Sequence, residues 1–361
     1  MQKVLHIGLS YERGGIESFV MNYYRSIDRF VIQFDFINPY DKPLAYEKEI
    51  LSLGGVIHRL HDFHKNPILF RKELKDILKT YEYEIVHIHM LSAANLLPLQ
   101  VAVECNVKRI IAHSHNTLAE GMIRKVLHRI HYKKIKKYAN RLLACSEKAG
   151  EWMFGKEGAF EVMKNAIDID KYTYNEQYRE DCRKELNIDD DSLLYGNIGR
   201  LNVQKNQLFL IDVFAEILKK QPNSYLCIIG DGELRQSIID RINKLKISDH
   251  VLMTGSRTDV YRLYNAMDAI IMPSIFEGLP VTLVEAQANG LKCYVSKNRV
   301  PDESKILDSM EFLELSLEAE KWAEKIVAGK CYRVHSAKNI LTALHYDISK
   351  EAIHLEALYL R

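Results

Sequence analysis

The stretch LLYGNIGRLNVQKNQLFLIDVF, residues 193–214, places a predicted β-strand, a short turn and an amphipathic helix directly after one another. The strand ends at Gly199 and Arg200, and Lys205 lies just ahead of the helix. A strand followed by a turn and a helix is the repeating unit of sheets whose strands run parallel. This stretch therefore favours a doubly wound α/β fold.

Strands and helices alternate along the whole chain. Several predicted strands are continuous apolar runs, as expected of parallel strands covered on both faces. A polar, charged segment at 165–190 divides the alternation into two halves. We therefore predict two Rossmann-like doubly wound domains facing a cleft, at 1–170 and 171–345, with the carboxyl ends of their strands lining it. The predicted strands are KVLHIGLS, FVIQFDFIN, GGVIHRL, EIVHIHM, RIIAHSH, RLLACS, LLYGNIGR, SYLCIIGD, HVLMTGS, AIIMPS and KCYVS.

The composition excludes several classes of protein. The chain has 361 residues, 47% of them hydrophobic, and a formal net charge of +2. A charge so near zero indicates no overall affinity for nucleic acid or membranes, so any basic site must be local. The six cysteines are scattered without a CxxC pair, which is typical of reduced cytosolic thiols. Because we find neither a signal-peptide pattern nor a long apolar window, we expect a cytoplasmic protein.

Two segments of the first half carry candidate binding groups. Gly14 and Gly15 precede a helix that we predict to begin near Glu17, and glycines there allow close backbone approach to an anion. A flexible turn is an equally good explanation of the pair.

Four histidines lie on two predicted strands, His87 and His89 on one, His113 and His115 on the other. Residues two apart share one face of a strand, so a metal site is one interpretation, but the sequence singles out no third ligand. Packing or hydrogen bonding at strand ends is the interpretation we prefer for His87, His89 and His113. His115, beside Asn116, is best placed to enter the cleft.

Two turns of the second half follow predicted strands. Arg200 and Lys205 lie on one strand–loop–helix turn, ahead of a helix N-terminus, an arrangement suited to a diphosphate, although surface charge is the usual alternative. The GDG turn that begins at Gly230 faces the same predicted edge.

The stretch FEGLPVTLVE, residues 276–285, connects a predicted strand to a helix and carries two glutamates. Pro280 fits the first helical turn, where its missing N–H costs nothing. Glu277 and Glu285 can accept hydrogen bonds from ribose and sugar hydroxyls, and the amides of Gly278 and Leu279 can donate. The helix dipole alone would explain Glu277 but not Glu285.

Taken together, these motifs resemble the retaining GT-B-fold glycosyltransferases of glycosyltransferase family 4, of the bacterial capsule and exopolysaccharide type. The resemblance covers essentially the whole chain and departs from the family at Ala166, where glycine is usual, and at GLKCYVS. It implies that residues 346–361 form a C-terminal helix that returns to the first domain. The motifs are GGIE (14–17), AHSHN (112–116), NAID (165–168), GRLNVQKN (199–206), GDGEL (230–234), FEGLPVTLVE (276–285) and SKNRVPDESKILDSMEFLELS (296–316).

The resemblance also implies roles for individual residues. Arg200 and Lys205 would neutralise the donor diphosphate, Glu285 would bind the ribose, and Glu277 would hold the donor sugar. His115, with His113 as the alternative, matches the cleft histidine of the family. The implied catalytic residues are His115, Arg200, Lys205 and Glu277. The implied donor site comprises Gly15, Gly199, Arg200, Lys205, Gly230, Glu277, Gly278, Leu279, Pro280 and Glu285, and the acceptor side comprises Gly14, Gly15, Glu17, His115 and Asn116.

The implied reaction moves a hexosyl group with retention from a nucleotide-diphosphate sugar, with UDP expected, to a glycan or lipid-linked acceptor. Fixed cations can stabilise the leaving diphosphate, so neither a metal nor a cofactor is expected. Two DxD-like segments (168–170 and 189–191) lie in the predicted linker and are disfavoured as metal ligands. The alternatives are a nucleotide-sugar 2-epimerase of the same fold and a non-catalytic sugar-nucleotide-binding partner of a transferase. The absence of GxGxxG disfavours a dehydrogenase.

The run 122–141 carries eight Lys and Arg residues and no acid. Apolar residues recur in it at mostly helical spacing, which predicts a basic amphipathic helix. Such a helix can lie on an anionic membrane surface, which would suit a lipid-linked acceptor. The solvated face of an ordinary domain helix is the equally weighted alternative.

Overall fold

The chain folds into two compact units in the computed structural model, which describes residues 1–119 and 121–361. Unit 1 comprises Met1–Ala166 and Ile348–Arg361, and unit 2 comprises Ile167–Asp347. The first division, after residue 166, falls four residues before the predicted domain end at 170. The second, after residue 347, falls two residues beyond the predicted end at 345.

Unit 1 is built on a seven-stranded sheet in the order β3-β2-β1-β4-β5-β6-β7. All neighbouring strands pair in parallel. The order reverses between β1 and β4, and ligands of open α/β sheets bind outside the carboxyl ends of strands at such a point. The strands are β1 Gln2–Ile7, β2 Ile32–Asn38, β3 Ile57–Arg59, β4 Ile85–Met90, β5 Arg109–Ser114, β6 Arg141–Ala144 and β7 Glu161–Val162.

Helices follow the strands of unit 1, and the first and last helices bury apolar residues in its core. The core contains Phe19 and Tyr23 of the first helix, Phe34 of β2 and Tyr359 of the last helix. The last helix therefore packs in unit 1, as predicted for the C-terminal segment. The helices are α1 Gly15–Ser26, α2 Glu47–Ser52, α3 Pro67–Thr80, α4 Leu97–Glu104, α5 Met122–His131, α6 Ile135–Tyr138, α7 Glu147–Phe154 and, at the end of the chain, α16 Ile348–Leu360.

Unit 2 repeats the architecture with a six-stranded parallel sheet in the order β10-β9-β8-β11-β12-β13. The parallel sheets of both units confirm the predicted Rossmann-like α/β class. The strands are β8 Leu193–Ile198, β9 Ser224–Ile229, β10 Val251–Gly255, β11 Ala269–Met272, β12 Lys292–Ser296 and β13 Met310–Leu313. The helices are α8 Ile169–Tyr172, α9 Glu176–Leu186, α10 Gln207–Lys220, α11 Arg235–Leu245, α12 Val260–Ala266, α13 Val281–Ala288, α14 Ala319–Ala328 and α15 Ala337–Ala343.

Three details of the predicted elements were wrong. Helix α1 begins at Gly15 rather than near Glu17. The basic run at 122–141 is not one helix, because α5 ends at His131, a 3₁₀ turn and the short α6 follow, and β6 starts at Arg141. One helix cannot extend through Arg141, because Arg141 is the first residue of β6 and pairs with Ile111 of β5. Strands β7 and β13 were not predicted, since two residues and the acid-containing MEFL carry no clear apolar pattern.

Candidate active site

In unit 2, the turns after β8 and β9 lie against each other. The amide of Gly199 donates to the carbonyl of Ile229 at 3.0 Å. Gly199 and Gly230 have φ of 155° and 142°, and a Cβ at Gly230 would overlap the carbonyl of Gly199. The two turns fit together because Gly230 carries no side chain. The structure thus places the GR and GDG motifs side by side at the carboxyl edge of the sheet.

An ion pair and a hydrogen bond join the loop before α10 to the loop before α13. Nζ of Lys205 lies 2.7 Å from Oε1 of Glu277, and the two side chains are only 15% and 7% exposed. The side-chain amide of Gln204 donates to the carbonyl of Phe276 at 3.0 Å. The backbone of Glu277 is held as well, because its amide donates to the carbonyl of Arg299 at 2.9 Å. Two predicted motifs 72 residues apart therefore form one site.

Arg200 occupies a more exposed position in the same set of loops. Its guanidinium lies 3.3 Å from the carboxylate of Glu233, in the GDGEL segment. The two side chains are 44% and 53% exposed, so solvent screens this pair far more than the Lys205–Glu277 pair. The sequence singled out the cations of this site but neither of these pairings.

Glu285 lies one turn into α13 and is partly buried. The Tyr264 hydroxyl donates to its Oε2 at 2.9 Å. Burial raises the pKa of the Glu285 carboxyl, and hydrogen bonds from Tyr172 and Tyr264 act in the opposite direction. Pro280 is the residue before the first helical residue, Val281, whereas the sequence predicted it inside the first turn.

In unit 1, Glu17 stabilises the loop that follows β1. Its Oε1 accepts a hydrogen bond from the Ser10 amide at 2.7 Å, its side chain is buried, and burial raises its pKa. Gly14 caps α1, and a Cβ there would lie 2.8 Å from Oε2 of Glu17. A Cβ at Gly15 would meet no described atom within 4 Å. Of the predicted acceptor-side residues, Gly15 thus has open space beside it, whereas Glu17 is hydrogen-bonded to the loop after β1.

Five histidines form a cluster on the central strands of unit 1 and in the loop after β5. His87, His89 and His113 are buried and hydrogen-bonded, which is the interpretation the sequence favoured for them. The fifth member, His6 of β1, was missed because a lone histidine in an apolar strand carries no signal. His115 follows β5 and is only partly buried, and Asn116 comes next in the same loop.

Ring nitrogens in this cluster lie close enough to raise the question of a metal. Nitrogens within 4.8 Å of one another define two triads, His6, His87 and His89, and His89, His113 and His115. Burial lowers the pKa of His115 to about 3 and lowers the pKa of His6 and His89 well below the usual value. The rings are therefore neutral, as metal ligation requires, and each carries one N–H and one bare nitrogen.

Comparison with known proteins identifies the family. Residues 13–171 match the family described as Glycosyltransferase Family 4, and residues 178–327 match Glycosyl transferases group 1. The glycosyltransferase EpsF of Bacillus subtilis (strain 168) is 31% identical over 375 residues, covering 99% of this chain and 96% of that protein. The chain is a family 4 glycosyltransferase.

One further relative is a glycosyltransferase, and one solved structure shares the fold. The capsular polysaccharide biosynthesis glycosyltransferase CapH of Staphylococcus aureus is 26% identical, covering 100% of this chain and 99% of that protein. The crystal structure of Anabaena Alr3699/HepE in complex with UDP and glucose superposes with a TM-score of 0.80 at 17% identity, covering 99% of each chain. Among the described residues of this family 4 glycosyltransferase, no helix is long and apolar enough to cross a bilayer.

Proposed function

We propose that this glycosyltransferase transfers a hexosyl group from a UDP-sugar, with retention, to a glycan or lipid-linked acceptor in bacterial surface polysaccharide synthesis. The observation that carries the proposal is the joined loop set around Lys205 and Glu277, which holds a cation and a carboxylate at the carboxyl edge of the unit 2 sheet. The capsular role of CapH and the UDP bound by HepE support the acceptor class and the donor.

The proposed chemistry relies on charge placement. The bond between the anomeric carbon and the diphosphate breaks, the acceptor oxygen bonds to that carbon on the same face, and the acceptor proton passes to the departing phosphate. Lys205 and Arg200 offset the negative charge that develops on the phosphate oxygens. Because Glu277 already holds the ammonium group, little reorganisation is needed when the charge develops. We propose that the protein's own cations suffice and that no metal or cofactor takes part.

Specificity for the donor is assigned to carboxylates and backbone amides. Glu285 would accept hydrogen bonds from the ribose hydroxyls, while the Tyr264 hydroxyl fixes the orientation of its carboxylate. Glu277, with the amides of Gly278 and Leu279, would hold the sugar. Gly199 and Gly230 adopt a positive φ and carry no side chain, so phosphate can approach the backbone of both turns.

For the acceptor, we propose peripheral docking of unit 1 on an anionic membrane through α5. Met122, Ile123, Val126 and Ile130 are at least half exposed, and Arg124, Lys125 and Arg129 of the same helix are exposed as well. Exposed apolar and cationic side chains on one helix match the chemistry of an anionic lipid surface. A pocket of about 420 Å³, lined mostly by apolar groups and by Arg71 and Lys134, lies beside the end of α5 at His131.

A panel of UDP-, GDP- and ADP-sugars, read by nucleotide release with and without EDTA, tests the donor assignment. We expect UDP release to exceed GDP and ADP release and to survive the chelator. Release from GDP- or ADP-sugars alone would refute the UDP assignment, and loss of turnover with EDTA would refute metal independence. Anomeric NMR of the product tests retention, and an epimerised sugar in place of a glycoside would favour the 2-epimerase alternative.

A further inference from the structure

The histidines of unit 1 form two separate hydrogen-bonded chains. In the first, Nδ1 of His6 lies 3.0 Å from Nε2 of His89, and Nδ1 of His89 lies 2.9 Å from Nε2 of His115. In the second, the Tyr359 hydroxyl lies 2.6 Å from Nδ1 of His87, whose Nε2 lies 3.1 Å from Nδ1 of His113. The first chain begins at a buried ring of β1 and ends at His115, which is only partly buried.

A neutral imidazole carries a single N–H, so the first chain has only two possible directions. In the outward direction, His6 Nδ1–H donates to His89, His89 Nδ1–H donates to His115, and His115 carries its proton on Nδ1. In the inward direction every bond is reversed, and His115 carries its proton on Nε2. The two directions differ in what remains at the buried end of the chain.

Nε2 of His6 decides between the two directions. This atom is buried and has no hydrogen-bond partner among the described residues. In the inward direction it would be an N–H donor without an acceptor, whereas in the outward direction it is a bare lone pair. A buried N–H without a partner is the rarer and costlier of the two in proteins. The same rule places the proton of His113 on Nδ1, since its Nε2 is buried and unpartnered as well.

We infer that His6 and His89 are positioning residues that fix His115 as the Nδ1–H tautomer. His115 then offers a hydrogen-bond donor, not a base, to a bound oxygen such as a sugar hydroxyl or a phosphate oxygen. The inference rests on the proposed function only in that His115 meets the substrate. The tautomer itself follows from the hydrogen bonds within unit 1.

The surroundings of the chain keep all three rings neutral. Burial is the largest cause that lowers the pKa of His6, His89 and His115, and the neighbouring imidazoles act in the same direction on His6 and His89. The rings that pack against the chain are those of Phe19, Phe34, Phe36, His87, His113 and Tyr359. Because the rings are neutral, each hydrogen bond sets the tautomer of the next ring, and the last bond sets that of His115.

Long-range ¹H–¹⁵N NMR of the full-length, ¹⁵N-histidine-labelled protein reads the tautomer directly. We expect His115 and His89 to carry their protons on Nδ1 at neutral pH, with the His115 signals assigned by their loss in His115→Asn. A His115 proton on Nε2, or fast exchange between the two tautomers, would overturn the inference. This measurement needs no turnover, so it stands or fails separately from the proposed function.

A pair of variants tests whether the positioning matters to the reaction. His89→Asn keeps a donor where Nδ1 of His89 lies, while His89→Leu removes it. We expect kcat/KM to fall roughly tenfold in His89→Leu, the scale of one lost hydrogen bond, and to recover in His89→Asn. UDP affinity, which we assign to unit 2, should be the same in both. Equal losses in the two variants would refute the positioning role.

A metal titration provides the last test. If His89, His113 and His115 bound a metal, each ring would use the lone pair of one nitrogen to coordinate the ion. That nitrogen could then not accept a hydrogen bond from a neighbouring N–H group. We expect Co²⁺ added to the full-length protein to give no absorption of a histidine-ligated ion. A stoichiometric Co²⁺ spectrum that disappears in His89→Asn would overturn the inference.

Discussion

Lys205 and Glu277 form an ion pair that is largely withdrawn from solvent, with the two side chains 15% and 7% exposed. Removing one member of such a pair leaves the other charge buried without compensation, which costs more than an exposed pair contributes. At this position the cation is also the group that we assign to the leaving diphosphate. Its loss therefore affects both the free energy of unfolding and the reaction.

Lys205→Ala should reduce kcat by roughly 100-fold, about 3 kcal/mol of transition-state stabilisation, because a preorganised charge is lost. Lys219→Ala is the matched control, since Lys219 pairs with Glu216 at 2.6 Å on the same unit but is 68% exposed. Steady-state kinetics of both variants make the measurement. Wild-type turnover in Lys205→Ala would refute the assignment of the diphosphate site.

The carboxyl group of Glu285 makes folding depend on pH. Its pKa in the folded protein is raised by burial from the ordinary 4.5, so the folded state holds the proton to a higher pH than the unfolded state does. Stability therefore falls as the pH rises from about 4.5 through the folded pKa. Above that window the folded protein carries the cost of a partly buried charge.

Glu285→Gln should remove this cost because its amide is neutral at every pH. We expect the melting temperature of the variant to exceed that of the wild type at neutral pH and to converge with it below pH of about 4.5. Differential scanning fluorimetry across this range makes the comparison, with exposed Asp191→Asn as the control. A difference that does not change with pH would contradict the burial argument. UDP affinity should weaken, since the ribose loses a carboxylate.

At the scale of elements, the turn after β1 depends on close backbone packing. Gly8 has φ of 115°, and a Cβ there would overlap the carbonyl of His89 on β4. Gly15, in the same strand-to-helix connection, begins α1 and would place its Cβ in open space. The two glycines therefore differ in what they contribute to folding.

Gly8→Ala should lower the free energy of unfolding by roughly 1–3 kcal/mol, the cost of a strained backbone conformation. The overlap of the new Cβ with the His89 carbonyl should add to this cost. Gly15→Ala should leave it unchanged or raise it by up to about 1 kcal/mol, because alanine favours helix. Denaturation in urea separates the two outcomes. Equal destabilisation by both substitutions would show that the close contact at Gly8 is not the cause.

Helix α5 is the element that carries the membrane proposal. The double variant Ile123→Ser with Val126→Ser should reduce pelleting with phosphatidylglycerol vesicles, because both side chains are exposed and apolar. Ile353→Ser is the control, since Ile353 is 65% exposed on α16. Binding should also weaken with added salt, as each cation near an anionic surface contributes about 1 kcal/mol. Pelleting that neither salt nor the double variant affects would refute docking through α5.

At the scale of the whole molecule, the last helix, which starts at Ile348, completes the core of a unit that begins at Met1. Ile348, Ala352, Leu355 and Tyr359 are each at most 5% exposed within the unit 1 core. Burial of one large apolar side chain contributes roughly 1.5–3 kcal/mol. Unit 1 therefore depends on α16, whereas unit 2 ends before it.

Truncation after Asp347 should unfold unit 1 and leave unit 2 folded. We expect limited proteolysis to degrade unit 1 and to leave a resistant fragment that corresponds to unit 2 and still binds UDP. Removal of exposed Arg361 alone is the control and should change nothing. A truncated protein whose unit 1 stays resistant would contradict the role of α16.

Local sequence determined most of the secondary structure, the fold class and the candidate loops of this protein. Apolar strands such as AIIM, and turns such as those at Gly199 and Gly230, follow from preferences that act within a few residues. For the same reason the sequence pointed to Lys205, Glu277 and Glu285 without showing which groups pair. The short strands β7 and β13 escaped prediction because their pairing comes from neighbouring strands and not from their own residues.

Only the tertiary structure decided the partners. Lys205 meets Glu277 across 72 residues, and His6 meets His89 across 83, because parallel strands bring distant segments to one edge of a sheet. The tautomer that we infer for His115 depends on a buried nitrogen of His6 in another strand. Such contacts depend on the order of the strands in the sheet, and strand order follows from packing of the whole chain.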